Sequence, residues 1–518
     1  MFLRASQSVR VNVVFNIAGR AWNAVLAVIC IPWYINYMGV EAYGLVGFFS
    51  AVNLLLSTLD LGLGPTFNRE LAVASAGRLA PAEVRNLART LETIYWTVAV
   101  TIGVGWIYLS RWISHVWLRP QHLAPGEIQW AVTTMGLVLL CQWPFNLYLS
   151  GLMGMQRQAL ANVITSILAT MRSGGAVIVL AAFSPTITAF FVWQAIVACL
   201  GTMIAAWTLW RYLPAGATPH FDVSTLRKVS RFSLGVLATG LASLLLQNAD
   251  KIVLSRMLPL EGFGYYMLAI TVASGLYVVV SAFYASAFPR FSQLYAACDL
   301  SGVSRLYHTL CQTLTVVVAP VALVIAMFPY EVVFLWTGKP ATAANSALLV
   351  SLLVLGAVLN TSMYIPYALT LAYGWTSFGF YQSLIATIIL VPLTIVAVVH
   401  SGAVGAAVIW LVLNVGYIFI SAPVMHWRLL PGQLGAWYLE DLGRPLLASL
   451  MPVLLARMAI SRGGSRSAIF CELGLLGAIA LLCSLASAPL VRTRVKPVLS
   501  ELRTGWSMVF SSRWAAGS

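Results

Sequence analysis

Charge is what this chain lacks most. Asp, Glu, Lys and Arg make up 9% of its 518 residues, against roughly 25% in soluble domains. With 60% hydrophobic residues and a mean hydropathy of +0.87, that deficit excludes an ordinary soluble protein. Other absences narrow the field further. The seven cysteines (Cys30, Cys141, Cys199, Cys298, Cys311, Cys471 and Cys483) are odd in number and scattered, with neither metal spacing nor a disulfide framework. No glycine-rich phosphate loop ending in Lys-Ser or Lys-Thr is present, which excludes nucleotide hydrolysis by that route. No HExxH, no GxSxG and no acidic pair on an outer loop appears, and the six histidines are isolated along the chain and read as structural residues. The longest polar gaps, 65–90, 211–231 and the tail from 491, are too short for an extramembrane domain. These features predict a protein that is not an enzyme and has no catalytic residues, metal or resident cofactor.

What is present is apolar runs of about 18 residues or more, each long enough to cross ~30 Å of hydrocarbon as a helix. About fourteen spans are expected, at 11–35, 43–64, 91–112, 128–150, 159–182, 188–210, 232–254, 263–288, 306–330, 346–370, 378–399, 403–424, 444–461 and 468–490. The first follows Arg4 and Arg10, is too long for a signal-peptide core and lacks a cleavage site, so it reads as a retained span. A net charge of +15 would suggest nucleic acid in a soluble protein. Here, with the N-terminus inside, twenty of the 30 basic residues fall in inner segments, six in outer ones and four within spans. That bias predicts a multi-pass protein with both termini cytoplasmic and no nucleic-acid partner.

An internal repeat is visible. Met38-Gly39-Val40-Glu41-Ala42-Tyr43-Gly44 and Leu258-Pro259-Leu260-Glu261-Gly262-Phe263-Gly264 occupy the same loop between paired spans, 220 residues apart. Pro144 and Pro366, both preceding an aromatic in an even-numbered span, fall at nearly the same offset. Six spans per half preserve orientation, so the halves are parallel repeats about an axis along the membrane normal. The expected fold is all-α and integral to the membrane: a six-helix lobe over 1–210, a second over 211–424, and two further spans with a basic tail over 425–518.

Polar residues recur at helical spacing within several spans. Asn12, Asn16, Arg20 and Asn23 share a stripe of the first, and Ser50, Asn53, Ser57, Asp60 and Gly64 one of the second. Asn162, Thr165 and Arg172 share a stripe of the fifth, and Thr239, Ser243, Gln247 and Asp250 one of the seventh. Asn and Ser alone serve as helix–helix glue. A full charge in hydrocarbon costs roughly 2.5–3.5 kcal/mol on the insertion scale and needs compensation. Arg20 lies nine residues into its span, about 13 Å deep at 1.5 Å per residue. It lines a wet cavity or pairs with Asp60. Arg172 is similarly deep. Asp250 and Lys251, near the outer end of their span, line an outer mouth, or one of them reaches water. Arg457, close to a span end, is expected to snorkel. Asp60 is either half of a latch with Arg69 or a solvated helix-end carboxylate.

These residues together resemble the polysaccharide transporter family, the O-antigen and lipid-linked oligosaccharide flippases of the multidrug, oligosaccharidyl-lipid and polysaccharide exporter superfamily. The resemblance is carried by Tyr37 to Gly44, by Leu59-Asp60-Leu61-Gly62-Leu63-Gly64 with Arg69, and by Pro144 with Gly151-Leu152-Met153-Gly154-Met155-Gln156-Arg157. In the second half Gln247-Asn248-Ala249-Asp250-Lys251 and Gly262-Phe263-Gly264-Tyr265-Tyr266 complete it. It implies two bundles around a cationic cavity that opens alternately to each side of a bacterial inner membrane. The implied cargo is an undecaprenyl-diphosphate-linked oligosaccharide for O-antigen, capsule or exopolysaccharide synthesis. A polysaccharide polymerase and a chain-length regulator are the implied partners, with an H+ or Na+ gradient as a possible driving force. Arg20, Arg172, Asn16, Asn23 and Lys251 are carried over as cavity residues by location, and Asp60, Arg69 and Asp250 as gating or ion-pair residues. Arginine forks suit phosphate oxygens. A small-molecule exporter or a peptidoglycan-precursor flippase of the same superfamily is the alternative. A membrane polymerase or glycosyltransferase would need a larger catalytic loop than this chain has.

Overall fold

The computed structural model describes residues 9–58, 63–75, 80–215, 218–223, 248, 250–459 and 465–493, and every regular element among them is helical. Lipid offers the backbone no hydrogen-bond partners, so spans of this composition must satisfy their amides internally. Helix α1 (Val9–Thr58) is two helices that meet at Gly39, whose φ of +84° is open to glycine at little cost. Short α2 (Leu63–Ser75) leads to α3 (Pro81–Trp112), which runs into a π-helical turn at Ile113–Trp117. Then follow α4 (Pro125–Gly154), α5 (Gln158–Ala182) and α6 (Ile187–Tyr212).

After residues 250–257, also helical, come α7 (Leu260–Ala296), α8 (Leu300–Met327), α9 (Pro329–Thr337), α10 (Pro340–Ser362) and α11 (Tyr364–Ala372). Helix α12 (Thr376–Gly416) breaks at Gly402 (φ +57°), as α1 does at Gly39. A π turn at Tyr417–Ser421 precedes α13 (Ala422–Leu429), a second at Trp437–Gly443 precedes α14 (Arg444–Ala459), and α15 (Arg466–Ser487) follows.

Ten described helical segments are long and apolar enough to cross a membrane. The difference from fourteen has visible sources. The expected span 232–254 falls mostly outside the described residues, Val28–Leu56 and Ser377–Leu429 each join two expected spans across Gly39 and Gly402, and α14 has only 16 residues. The prolines differ too. Helix α4 stays continuous through Pro144. The span around Pro366 breaks between Ser362 and Tyr364, next to the i−4 carbonyl that a proline ring crowds.

The chain divides into two compact units, Met1–Met267 with Ala386–Ala406, and Leu268–Ile385 with Ala407–Ser518. The first is built around Phe67, Leu91, Tyr95, Trp143, Tyr148 and Leu209, contributed by α2, α3, α4 and α6. In the second, α8, α14 and α15 share a core of Leu323, Phe328, Val453, Leu476 and Ala480.

Candidate functional site

In the first unit α1 and α5 lie side by side. Trp22 Nε1 donates to Thr170 Oγ1 at 2.9 Å, Tyr34 OH donates to the Ser173 carbonyl at 2.9 Å, and a Cβ on Gly19 would sit 3.3 Å from Ser166 Oγ. Two expected site residues occupy this stretch, Asn23 next to Trp22 and Arg172 next to Ser173. Both are half-buried. Asn23 Oδ1 and Arg172 Nε are fully buried with no hydrogen-bond partner among the described residues. Leaving such a group unsatisfied costs about 1–3 kcal/mol, more when it is charged. The pair is thus an acceptor and a donor that call for water or a ligand. Arg20 and Asn16 are helical residues of α1 whose side chains lie outside the described set, as does Asp60 altogether.

A second polar group on this unit is a small pocket lined by Asn53, Gln142 and Asn146 together with Trp143 and Ile102. Gln142 and Asn146 are one turn apart on α4, across from Asn53 on α1. Sequence reading placed Asn53 on a stripe but missed the two α4 amides, which flank Pro144 and were hidden by the aromatic residues around them.

One face of this unit is closed by the two repeated loops. A Cβ on Gly44 would lie 2.4 Å from the Leu260 carbonyl oxygen, and one on Gly264 would lie 2.4 Å from the Val40 carbonyl oxygen. The reciprocity matches the 220-residue repeat position for position. Gly47 likewise meets Met267, its own counterpart. The segment after the first π turn is strapped to both loops. Glu41 accepts the backbone N–H groups of Gln121 (2.5 Å) and His122 (2.9 Å). The Arg119 carbonyl accepts from Leu260 N at 2.9 Å, and His122 Nε2 lies 3.9 Å from Glu261.

Near this face Lys251 Nζ lies 3.4 Å from Asp250 Oδ1, and Tyr266 OH donates to Asp250 Oδ2 at 2.9 Å. Two adjacent helical residues point about 100° apart, yet the long lysine stem spans that angle. Arg69 is exposed and 3.4 Å from Glu70, its neighbour on α2.

Arg457 differs from expectation. Instead of snorkelling, its guanidinium bonds Glu331 Oε1 at 3.1 Å and lies over the Phe328 ring at 5.2 Å. Glu331 is buried. The acid sits in α9, a short helix packed against the membrane helices, which explains how a carboxylate near a span end reaches an arginine 126 residues on.

The histidines are also less isolated than the sequence suggests. In the second unit His308 Nδ1 is 2.5 Å from Asp441 Oδ2 and its Nε2 is 3.0 Å from Gln433 Oε1. His426 lies 3.0 Å from Tyr307 OH. Burial pushes the Asp441 carboxyl up to about 6, against the downward pull of His308.

The polysaccharide biosynthesis protein family matches residues 9–295, more than half of the chain. The chain belongs to that family. A comparison with curated proteins by sequence finds no match. Among solved structures, a lipid II flippase in an inward closed conformation is similar at a TM-score of 0.70 with 12% identity, over 91% of this chain and 98% of that one. An inward-facing multidrug resistance MATE family transporter of the MOP superfamily is similar at 0.61 with 14% identity, over 78% and 94%. A MOP superfamily transporter from Pyrococcus furiosus is similar at 0.51 with 13% identity, over 83% and 96%. This member of the polysaccharide biosynthesis family is thus a multi-pass helical membrane protein with the fold shared by those transporters.

Proposed function

We propose that this chain is a flippase for a lipid-linked oligosaccharide, moving an undecaprenyl-diphosphate-linked glycan from the inner to the outer leaflet of a bacterial inner membrane. The observation that carries the reading is the pair Arg172 Nε and Asn23 Oδ1, buried with no hydrogen-bond partner among the described residues, on the α1–α5 stretch of a polysaccharide biosynthesis family member. A sugar diphosphate cannot enter hydrocarbon without partners for its charge and hydroxyls. In this reading Arg20 and Arg172 take the diphosphate through charge-assisted hydrogen bonds, Asn16 and Asn23 meet sugar hydroxyls, and the polyprenyl tail stays in the bilayer. Lobes over 1–210 and 211–424 rock against one another, with 425–518 appended and both termini cytoplasmic. Lys251, held by Asp250, stands at the outer mouth, and Asp60 with Arg69 acts on the cytoplasmic side. The protein acts by transport rather than catalysis, beside a polymerase and a chain-length regulator.

Arg172→Ala and Arg20→Ala should each abolish surface polysaccharide while the protein remains at normal level in the membrane. Wild-type polysaccharide in both variants overturns the cavity assignment. A second reading, a flippase for the peptidoglycan precursor, is favoured by the fold likeness to the lipid II flippase over nearly the whole chain. Rescue of a strain depleted of its own lipid II flippase would select it; failure of that rescue with restored polysaccharide in a strain lacking this gene selects the first.

A further inference from the structure

Residues of the second unit form a polar cluster that cavity transport does not use. His308 lies in α8, eight residues past its start, with its side chain only 15% exposed. Each ring nitrogen faces an oxygen: Nδ1 faces Asp441 Oδ2 and Nε2 faces Gln433 Oε1. Gln433 Oε1 also accepts from Ser304 Oγ at 2.8 Å. A ring with acceptors at both nitrogens donates twice and so carries both protons. Asp441 is 1% exposed, and His308 is the only basic side chain within 4.0 Å of it among the described residues.

A buried carboxylate without a compensating charge is expensive. His308 and Asp441 together therefore stay neutral overall in one way, by holding one proton between them. Removing it leaves a buried negative charge next to Glu440 on the same π turn.

We propose that His308 and Asp441 form a proton-binding site that fastens the segment Gln433–Gly443 to α8, and that loss of the proton unfastens it. The ligand is a proton and not a metal ion, since no group of three metal-ligating side chains occurs among the described residues. The segment is a suitable thing to hold. It carries the π turn that leads directly into α14, and its further side-chain ties to α8 are Ser304 Oγ donating to Gln433 Oε1 at 2.8 Å and Gln312 Nε2 donating to the Glu440 carbonyl at 3.1 Å. Gln312 Oε1 in turn accepts from Leu490 N at 2.9 Å, just past α15. Both C-terminal helices are thus anchored within two turns of His308.

The titratable groups facing the site are few. Tyr307 and Cys311 lie on α8 itself, Glu440 beside Asp441 on the π turn, and His426 on α13. His426 has Nδ1 facing the Ala422 carbonyl (2.8 Å) and Nε2 facing the Tyr307 hydroxyl, with no carboxylate within 4.0 Å among the described residues. It therefore serves as an internal contrast: two buried histidines in one cluster, one beside a carboxylate and one not.

The inference does not depend on the cargo, so its test is separate from transport. Full-length protein in lipid nanodiscs, with ¹⁵N-labelled histidine, reports the protonation of each ring by NMR, and His308→Gln and His426→Gln assign two of the six signals. At pH 7 wild-type His308 should show the doubly protonated pattern and His426 the neutral one. In Asp441→Asn the proton affinity of His308 should fall at least about tenfold, a shift of one pH unit or more. Thermal unfolding gives an independent reading. Each single variant should lower the midpoint, and His308→Gln with Asp441→Asn together should recover much of that loss, because no unpaired charge remains. A neutral His308 at pH 7, or an unchanged His308 titration in Asp441→Asn, overturns the proposal, as does a double variant whose loss is the sum of the two single losses.

Discussion

The two compact units differ in which of their buried polar side chains find partners. In the second, Asn360 Nδ2 donates to Asn414 Oδ1 at 2.7 Å, Asn360 Oδ1 accepts from Tyr277 OH at 3.1 Å, and Asn414 Nδ2 donates to the Trp410 carbonyl at 2.7 Å. Arg457 is matched by Glu331 Oε1, and His308 by Asp441, although Glu331 Oε2 and Trp437 Nε1 stay buried with no hydrogen-bond partner among the described residues. In the first, Arg172 Nε and Asn23 Oδ1 are buried with no partner among the described residues, and three amides line a small pocket. Composition does not separate these cases, since both units place Asn, Gln and Arg inside apolar helices. What separates them is whether the hydrogen-bonding capacity is spent inside the protein. Saturated groups act as glue between helices; open ones need something else to bind.

The largest test of that contrast is the matched arginine. Glu331→Ala leaves Arg457 without its partner in a partly buried position, a change expected to cost on the order of 3 kcal/mol. Glu331→Leu with Arg457→Met should restore most of the stability and keep transport intact, as read by thermal unfolding in detergent and by surface polysaccharide. If the double variant folds well yet loses polysaccharide, Arg457 belongs with the open groups instead.

The first unit is not open everywhere, and its glycines allow a sharper comparison. Gly44→Ala would drive a methyl to 2.4 Å from the Leu260 carbonyl oxygen, an overpacking expected to cost about 2 kcal/mol. Gly262 occupies the repeat position of Ala42, and a Cβ there meets nothing within 4 Å. Gly262→Ala should therefore be neutral or stabilising by up to about 1 kcal/mol. Equal midpoints for the two variants would mean that the repeated loops do not cross as closely as described.

Much of the fold was legible in the sequence because hydrocarbon leaves the backbone little choice. An apolar run must be a helix, and a Gly between two runs marks the break, as Gly39 and Gly402 show. The repeated Gly44 and Gly264 were visible as a pattern, although their contact was not. Partners were the illegible part. His308 and Asp441 are 133 residues apart, and Arg457 and Glu331 are 126 apart. Helical periodicity says which residues share a face but not which helix that face meets. For the same reason Arg172 was identifiable as a deep charge, whereas the absence of a hydrogen-bond partner for its Nε among the described residues became apparent only from the packing of α1 on α5. Asn16, Arg20 and Asp60 remain readings from sequence, since their side chains lie outside the described residues.

The smallest effect, that of Gln142→Leu set against Asn360→Leu, bears most directly on the distinction between glue and site. Asn360→Leu removes the acceptor of Tyr277 and the donor to Asn414 at once, leaving two polar groups stranded in the core of the second unit. Each stranded group costs about 1–3 kcal/mol when fully buried, so the thermal midpoint should drop clearly. Gln142→Leu removes an amide that borders the pocket, with no hydrogen-bond partner among the described residues to strand, and should change stability by less than about 0.5 kcal/mol. Transport should respond in the reverse order. Surface polysaccharide should fall in Gln142→Leu at normal protein level, and in Asn360→Leu only in proportion to the protein lost. A Gln142→Leu variant as unstable as Asn360→Leu would show that the pocket amides are glue after all. The open set would then shrink to the α1–α5 stretch around Arg172.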